Sequence, residues 1–169
     1  MQVVSITSMI TVVWILFGYS FAFGPASAST TSSKIFGDGS RIFLEGMEEN
    51  SVHQLATTIP ESAFCAFQLT FAIAAPVLMC GSFAERMAYY PMLIFMMLWH
   101  ILVYCPMAHT FWHPDGWLYD LGVLDFAGGC VIHLSAGIAS LVCVRIIGNR
   151  HLRDDNFTEK SEPHNIYSL

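Results

Sequence analysis

Four stretches of this chain contain no Asp, Glu, Lys or Arg over lengths that could cross a lipid bilayer. They cover residues 1–33, 62–84, 87–109 and 126–144. A helix rises 1.5 Å per residue, so about 20 apolar residues span the ~30 Å hydrocarbon layer. Each stretch therefore predicts one membrane-spanning helix, and we expect an all-α, polytopic membrane protein with about four transmembrane helices.

The overall composition supports lipid as the solvent. Of the 169 residues 54% are hydrophobic and 12% are charged, whereas soluble domains carry about 25% charged residues. The first apolar segment has no basic residue before it and is longer than the ~7–15 residues of a signal-peptide core, so a transmembrane helix is the better interpretation. No basic and aromatic patch suggests nucleic acid as a partner.

Loop charges predict the orientation. The predicted spans are 3–23, 62–83, 88–110 and 126–147, with loops 25–61 and 111–125 on one side and a tail segment 148–165 on the other. The tail side receives most of the basic residues (Arg86, Arg145, Arg150, Arg153 and Lys160), and the loop side only Lys34 and Arg41. By the positive-inside tendency the tail is cytoplasmic and both loops are external.

The external loop 25–61 is acidic. Its carboxylates would weakly concentrate cations near the membrane, although a solvated loop without a function is the simpler interpretation. The residues concerned are Asp38, Glu45, Glu48, Glu49 and Glu61.

Asp125 and His133 flank the start of the fourth span. The Asp125 carboxylate precedes Phe126, so it can cap the first helical turn, and this role explains it at least as well as contact with a ligand. His133 lies about 12 Å further along the helix axis. It is either a hydrogen-bonded core histidine or a group that lines a narrow path and exchanges a proton.

Aromatic residues mark the second and third spans. Phe64, Phe67 and Phe71 have the spacing of one helix face, which is typical of packing and also fits a ring-lined constriction that attracts a cation. Trp112 lies where the third span leaves the membrane, as does Trp117. They are either interfacial belt residues or a cation–π platform at a pore mouth.

No pattern predicts an enzyme, a metal or another cofactor. The five cysteines lie within or at the ends of spans, without metal-ligand spacing. His109 and His113 are four residues apart, but they straddle a helix end before Pro114. We therefore expect buried apolar thiols and no metal site.

Taken in order, the motifs of this chain closely resemble the ammonium transporter family (Amt/Mep/Rh), and its Amt/Mep branch in particular. The closing Glu162-Pro163-His164-Asn165 also fits that family. The motifs are Phe67-Gln68-Leu69-Thr70-Phe71-Ala72, then Gly81-Ser82-Phe83-Ala84-Glu85-Arg86, then His109-Thr110-Phe111-Trp112 with Asp115-Gly116-Trp117, and Leu124-Asp125-Phe126-Ala127-Gly128-Gly129-Cys130-Val131-Ile132-His133.

The resemblance implies a fold and a function. Residues 1–169 would be a partial ammonium transporter domain, an internal fragment of a protein that forms a homotrimer in the lipid bilayer, with one pore per subunit. The expected substrates are ammonium and ammonia, with methylammonium as an analogue, and the expected location is the plasma membrane.

The resemblance also implies roles for particular residues. Trp112 and Phe71 would hold an ammonium ion at the external vestibule, supported by Asp125. Phe67 and Phe71 would form a stacked gate. His133 would be the first of two pore histidines and would relay a proton or align ammonia.

Two alternatives remain open from the sequence. One is a non-conducting relative that acts as an ammonium sensor or an assembly scaffold. The other is a membrane redox protein that binds haem through His100 and His133, which requires both rings at similar depth on facing helices.

Overall fold

The computed structural model describes residues 2–25, 34–84 and 86–148, and these form an all-helical structure without β-strands. Within these ranges four helices are long and apolar enough to cross a membrane, which confirms the predicted fold class. In chain order the helices are α1 (Gln2–Val13, Trp14–Gly18 and Tyr19–Phe23), α2 (Glu61–Phe83), α3 (Tyr89–Trp99, His100–Tyr104 and Cys105–Trp112), the short α4 (Trp117–Asp120) and α5 (Gly129–Leu134 and Ser135–Ile147).

Helix α5 begins at Gly129, three residues after the predicted start of the fourth span. Gly128 has a φ of 74°, a left-handed conformation that L side chains rarely adopt, and it separates the helix from the preceding turn. The predicted tail segment 148–165 lies outside the described residues except for Gly148.

Helices α1 and α2 form the core of the bundle, and α2 contacts each of the other three long helices. Helix α1 packs against α2 and α3, and α2 packs against α5. Trp14 is fully buried on α1 and donates a hydrogen bond from Nε1 to the Cys65 carbonyl oxygen at 3.3 Å. Its ring contacts Tyr104 of α3 at a centroid distance of 6.4 Å. One large side chain therefore joins three helices.

Helices α1 and α3 approach closely at Gly18. A Cβ at Gly18 would lie 2.9 Å from His100 Nε2, so the absence of a side chain makes room for the histidine. The contact joins two π-helical turns, Trp14–Gly18 of α1 and His100–Tyr104 of α3. Small residues allow this kind of backbone approach between helices in lipid.

The two ends of the bundle are closed by different contacts. At one end the Lys34 ammonium group lies 2.5 Å from the Asp120 carboxylate, and the Trp117 amide donates to the Lys34 carbonyl oxygen. We call this the Trp112 end. At the opposite end, the Arg86 end, the Arg86 guanidinium donates to the Gly148 carbonyl oxygen at 2.5 Å. The two long loops thus meet on one side of the four helices.

Candidate functional site

A cavity of about 760 Å³ opens at the Trp112 end. Its walls come from five parts of the chain: the loop before α2, the first half of α2, the end of α3, the short α4 and the segment before α5. Four of the residues singled out from the sequence line it together, namely Phe67, Phe71, Trp112 and Asp125. Residues distant in sequence therefore converge on one predominantly apolar site.

The aromatic rings in this cavity contact one another edge to face. Phe67 and Phe71 have centroids 5.0 Å apart and ring planes at 88°, and Phe71 meets Trp112 at 6.2 Å and 63°. The expectation of a stacked Phe67–Phe71 pair is therefore wrong in ring orientation. An edge-to-face pair places the positive ring edge against the negative face of its neighbour, a preferred arrangement of aromatic quadrupoles.

Asp125 fixes two parts of the site at once. Its carboxylate accepts hydrogen bonds from the Cys130 and Val131 amides at 3.1 and 2.9 Å, so it caps α5. Its carbonyl oxygen accepts a hydrogen bond from Trp112 Nε1 at 2.7 Å. Because the only polar hydrogen of the indole is used in this way, Trp112 can interact with a cavity occupant only through its π system.

His133 stands apart from this cavity. It lies in the π-helical part of α5, and its side chain is exposed on the surface of the described helices. It follows Gly129 by four residues, roughly 6 Å along the axis, and is not among the residues that line the cavity. The structure therefore brings together the aromatic and acidic residues of the predicted site but not its histidine.

An ion pair between the buried Glu61 and the partly exposed Arg41 was not predicted from the sequence. Glu61, assigned above to a solvated acidic loop, is 1% exposed. It accepts a hydrogen bond from the Tyr19 hydroxyl at 3.1 Å and lies 3.3 Å from the Arg41 guanidinium. The solvated interpretation is wrong for this residue, because loop folding brings Arg41 over the start of α2.

Three buried histidines lie beside the cavity. The His109 and His113 rings are stacked at 4.7 Å, and His53 meets His113 at 6.0 Å. Their ring nitrogens contact protein groups: His109 Nδ1 is 3.1 Å from the Ala22 carbonyl oxygen, and His113 Nε2 is 3.0 Å from the Gln54 amide. Among the described residues no group of three or more His, Cys, Asp or Glu side chains could hold a metal ion.

The proposed haem ligand His100 is enclosed by protein. It is 0% exposed, its ring stacks on Tyr104 at 5.2 Å, and its Nε2 is 3.7 Å from Cys105 Sγ. An axial haem ligand needs open space for the porphyrin beside the ring nitrogen. The packing around His100 therefore does not favour the redox alternative.

The sequence also did not indicate which loop residues complete the cavity. Leu55, Ala56 and Ile59 of the first loop and Tyr119 of α4 line it. The apolar character of Leu55, Ala56 and Ile59 before Pro60 was a local signal, but it does not reveal which helices they contact.

The fold and site define a polytopic α-helical membrane protein with an aromatic cavity at one end. The chain belongs to the Ammonium Transporter Family, whose model matches residues 1–169. It is 40% identical over 159 residues to an ammonium transporter of Bacillus subtilis, covering 94% of this chain and 36% of that protein. It is 34% identical over 160 residues to the ammonium transporter MEP2 of Saccharomyces cerevisiae, covering 92% and 30%.

Solved structures agree with the sequence comparison. The crystal structure of Saccharomyces cerevisiae Mep2 superposes with a TM-score of 0.79 at 32% identity, covering 88% of this chain and 32% of the yeast chain. The chain thus spans about a third of the length of the relatives it matches.

Proposed function

We propose that this chain forms the external vestibule and the first part of the pore of an ammonium and ammonia transporter in the plasma membrane. The Trp112 end faces outside, and the basic end around Arg86 and Arg145 faces the cytoplasm. The observation that carries the proposal is the cavity in which Phe67, Phe71, Trp112 and Asp125 converge.

Ion capture follows from the chemistry of these walls. Full dehydration of a cation in an apolar medium is prohibitive, so a capture site must replace part of the water shell. The faces of Trp112 and Phe71 attract a cation through their ring quadrupoles. The Asp125 carboxylate adds a negative charge beside them. Because this carboxylate also caps α5, it supports the site without being free to follow the ion.

Passage beyond the vestibule requires a neutral species. In this proposal Phe67 and Phe71 act as the gate, and the ion loses its proton before or within the apolar path behind them. His133, on the exposed face of α5, relays that proton or aligns ammonia. The exposed position suits a pore wall whose opposite side is formed by parts of the full-length protein outside this chain.

The assembly and partners follow from family membership. We propose a multi-pass homotrimer in the lipid bilayer, with ammonium and methylammonium as the transported cations and a transport rather than an enzymatic activity.

Uptake of labelled methylammonium by cells that carry the full-length protein tests this function. Wild type should exceed cells with an empty vector, and Trp112→Leu should raise KM roughly 3- to 30-fold through loss of a cation–π contact. Trp117→Leu is the matched control, because Trp117 is 52% exposed and does not line the cavity. Uptake equal to the empty vector would contradict transport, and ammonium binding without uptake would favour the sensor or scaffold alternative.

A further inference from the structure

One wall of the cavity is made by a loop that lies against the helix ends. Residues 53–59, here called the wall segment, contribute Leu55, Ala56 and Ile59 to the cavity lining. A loop can shape a binding site only if something holds it in place. Two side chains of this segment hold it: Gln54 Nε2 lies 3.0 Å from His113 Nε2 after α3, and His53 contacts α1 and α2.

His53 connects the wall segment to two helices. Its Nε2 lies 3.1 Å from the Phe23 carbonyl oxygen at the end of α1, and its Nδ1 accepts a hydrogen bond from the Leu55 amide at 3.2 Å. Its ring stacks on Phe64 of α2 at 4.4 Å and 11°. The side chain is 7% exposed. Phe64 itself lines the cavity, so the anchor and the site share a wall.

These hydrogen bonds define one protonation state. Nδ1 must be an acceptor for the Leu55 amide, so the neutral ring carries its proton on Nε2 and donates it to Phe23. A protonated imidazole has two N–H donors and no acceptor. A proton on Nδ1 would face the Leu55 N–H, and the turn from His53 to Ala56, closed by an amide-to-carbonyl bond of 2.9 Å, would lose its side-chain support.

The surroundings of His53 favour the neutral ring. Burial lowers the pKa of His53 from its ordinary value of 6.5, against the opposing effect of its hydrogen bond to Phe23. Glu61 of α2 also favours the charged ring, and Arg41 opposes it; these two side chains pair with each other.

Other elements that pack near the ring contribute Tyr19 of α1, at a centroid distance of 6.5 Å, and His113 after α3, at 6.0 Å. Because the pKa is lowered by folding, docking of the wall segment is stable above about pH 6.5 and weakens as the pH falls below it.

We propose that His53 is a positioning residue of the vestibule, whose neutral ring holds the wall segment against the aromatic cluster and whose protonation from the external side releases it. This inference rests on the proposed function and adds a mode of regulation to it. External acid thereby weakens ion capture without any change at Trp112, Phe71 or Asp125.

The first test compares methylammonium uptake by the full-length wild type and His53→Gln between pH 7.5 and 5. The glutamine amide can still donate to Phe23 but does not titrate. At pH 7.5 we expect His53→Gln to raise KM about three- to tenfold, because the buried hydrogen bond from the Leu55 amide to the ring is lost. The kcat should be almost unchanged. As the pH falls, KM should rise in wild type and stay flat in the variant.

Lys34→Met is the matched control, because it removes an exposed loop contact, Lys34–Asp120, that has no histidine. It should keep the wild-type KM and pH profile. The inference is overturned if wild type and His53→Gln share the same KM and the same pH profile.

The second test reads the wall segment directly and does not require transport or a folded variant. Hydrogen–deuterium exchange of purified full-length wild type, corrected for intrinsic rates, should show loss of protection at residues 53–59 between pH 7.5 and 5.5 while α1 and α2 remain protected. Equal protection at both pH values would overturn the inference. Absence of uptake in wild type at every pH would instead contradict the proposed function. The exchange experiment would still decide whether low pH releases the wall segment.

Discussion

The Trp112 end and the face of α5 around His133 differ in how their polar groups are held. At the Trp112 end two carboxylates are held by protein groups: Glu61 by Arg41 and Tyr19, and Asp125 by two amides. On α5 the His133 side chain is exposed. The described residues thus form the walls of a cavity at one end and leave a histidine exposed on α5.

This difference separates two kinds of functional residue. We expect a substitution at the Trp112 end to disturb packing and the proposed ion capture together, because the residues that form the cavity also hold its parts in place. We expect a substitution at His133 to affect the proposed proton relay with little effect on the described bundle. Measuring stability and uptake in the same variants therefore tests the comparison.

The largest stability effect is expected for Arg41→Met. This change leaves the Glu61 carboxylate buried without its cation, which costs roughly 3–5 kcal/mol when one partner of a buried ion pair is removed. Thermal unfolding of the purified full-length protein measures it. Adding Glu61→Gln should restore most of the loss, because the amide keeps an acceptor for Tyr19 without a charge. Lys34→Met, at an exposed pair, should cost about 0–1 kcal/mol, and an equal loss in both variants would contradict the burial argument.

Asp125→Ala is expected to have an intermediate effect. It removes the acceptor for two amides at the start of α5, a helix cap worth about 0.5–2 kcal/mol, and it also removes the charge beside the cavity. Both the unfolding temperature and methylammonium uptake should fall. Asp125→Asn separates these effects, since its amide oxygen can still cap the helix while the charge is gone. If Asp125→Asn keeps full uptake, the field of the carboxylate has no part in ion capture.

The smallest stability effect is expected for His133→Ala. Substitutions at exposed positions usually change stability by no more than about 0.5 kcal/mol, so the unfolding temperature should stay near wild type while methylammonium uptake falls. Leu134→Ala is a suitable control, since Leu134 is 53% exposed in the next position along α5. A large loss of stability in His133→Ala with normal uptake would make this residue a packing histidine and remove it from the proposed pore.

The helices could be predicted from the sequence because lipid excludes charge over a whole span. The number of consecutive residues without a charge can be counted in the sequence itself. Segments 62–84 and 87–109 are long enough to be recognised as spans without knowledge of the helices they contact. Asp125 as a helix cap was also predictable, because a carboxylate just before a glycine-rich helix start has few other partners. The predicted start of α5 was too early. The sequence from residue 126 is continuously free of charge, but the left-handed conformation of Gly128 delays the helix until Gly129.

The contacts across the chain could not be predicted in this way. His53 lies in a polar loop and Glu61 is the first residue of α2, and nothing adjacent to either residue shows that it will be buried. Each acquires its role from elements far away in sequence, Glu61 from Tyr19 and Arg41, and His53 from Phe23 and Phe64.

The amino-acid sequence alone determined the helical class, the four apolar spans and the identity of the aromatic and acidic side chains available for a site, because hydropathy and helix caps act over a few neighbouring residues. Only the tertiary structure decided that Phe67, Phe71, Trp112 and Asp125 share one cavity, that a histidine anchors its loop wall and that His133 lies elsewhere. Those facts depend on which helix faces meet, and that is set by close packing between segments separated by tens of residues.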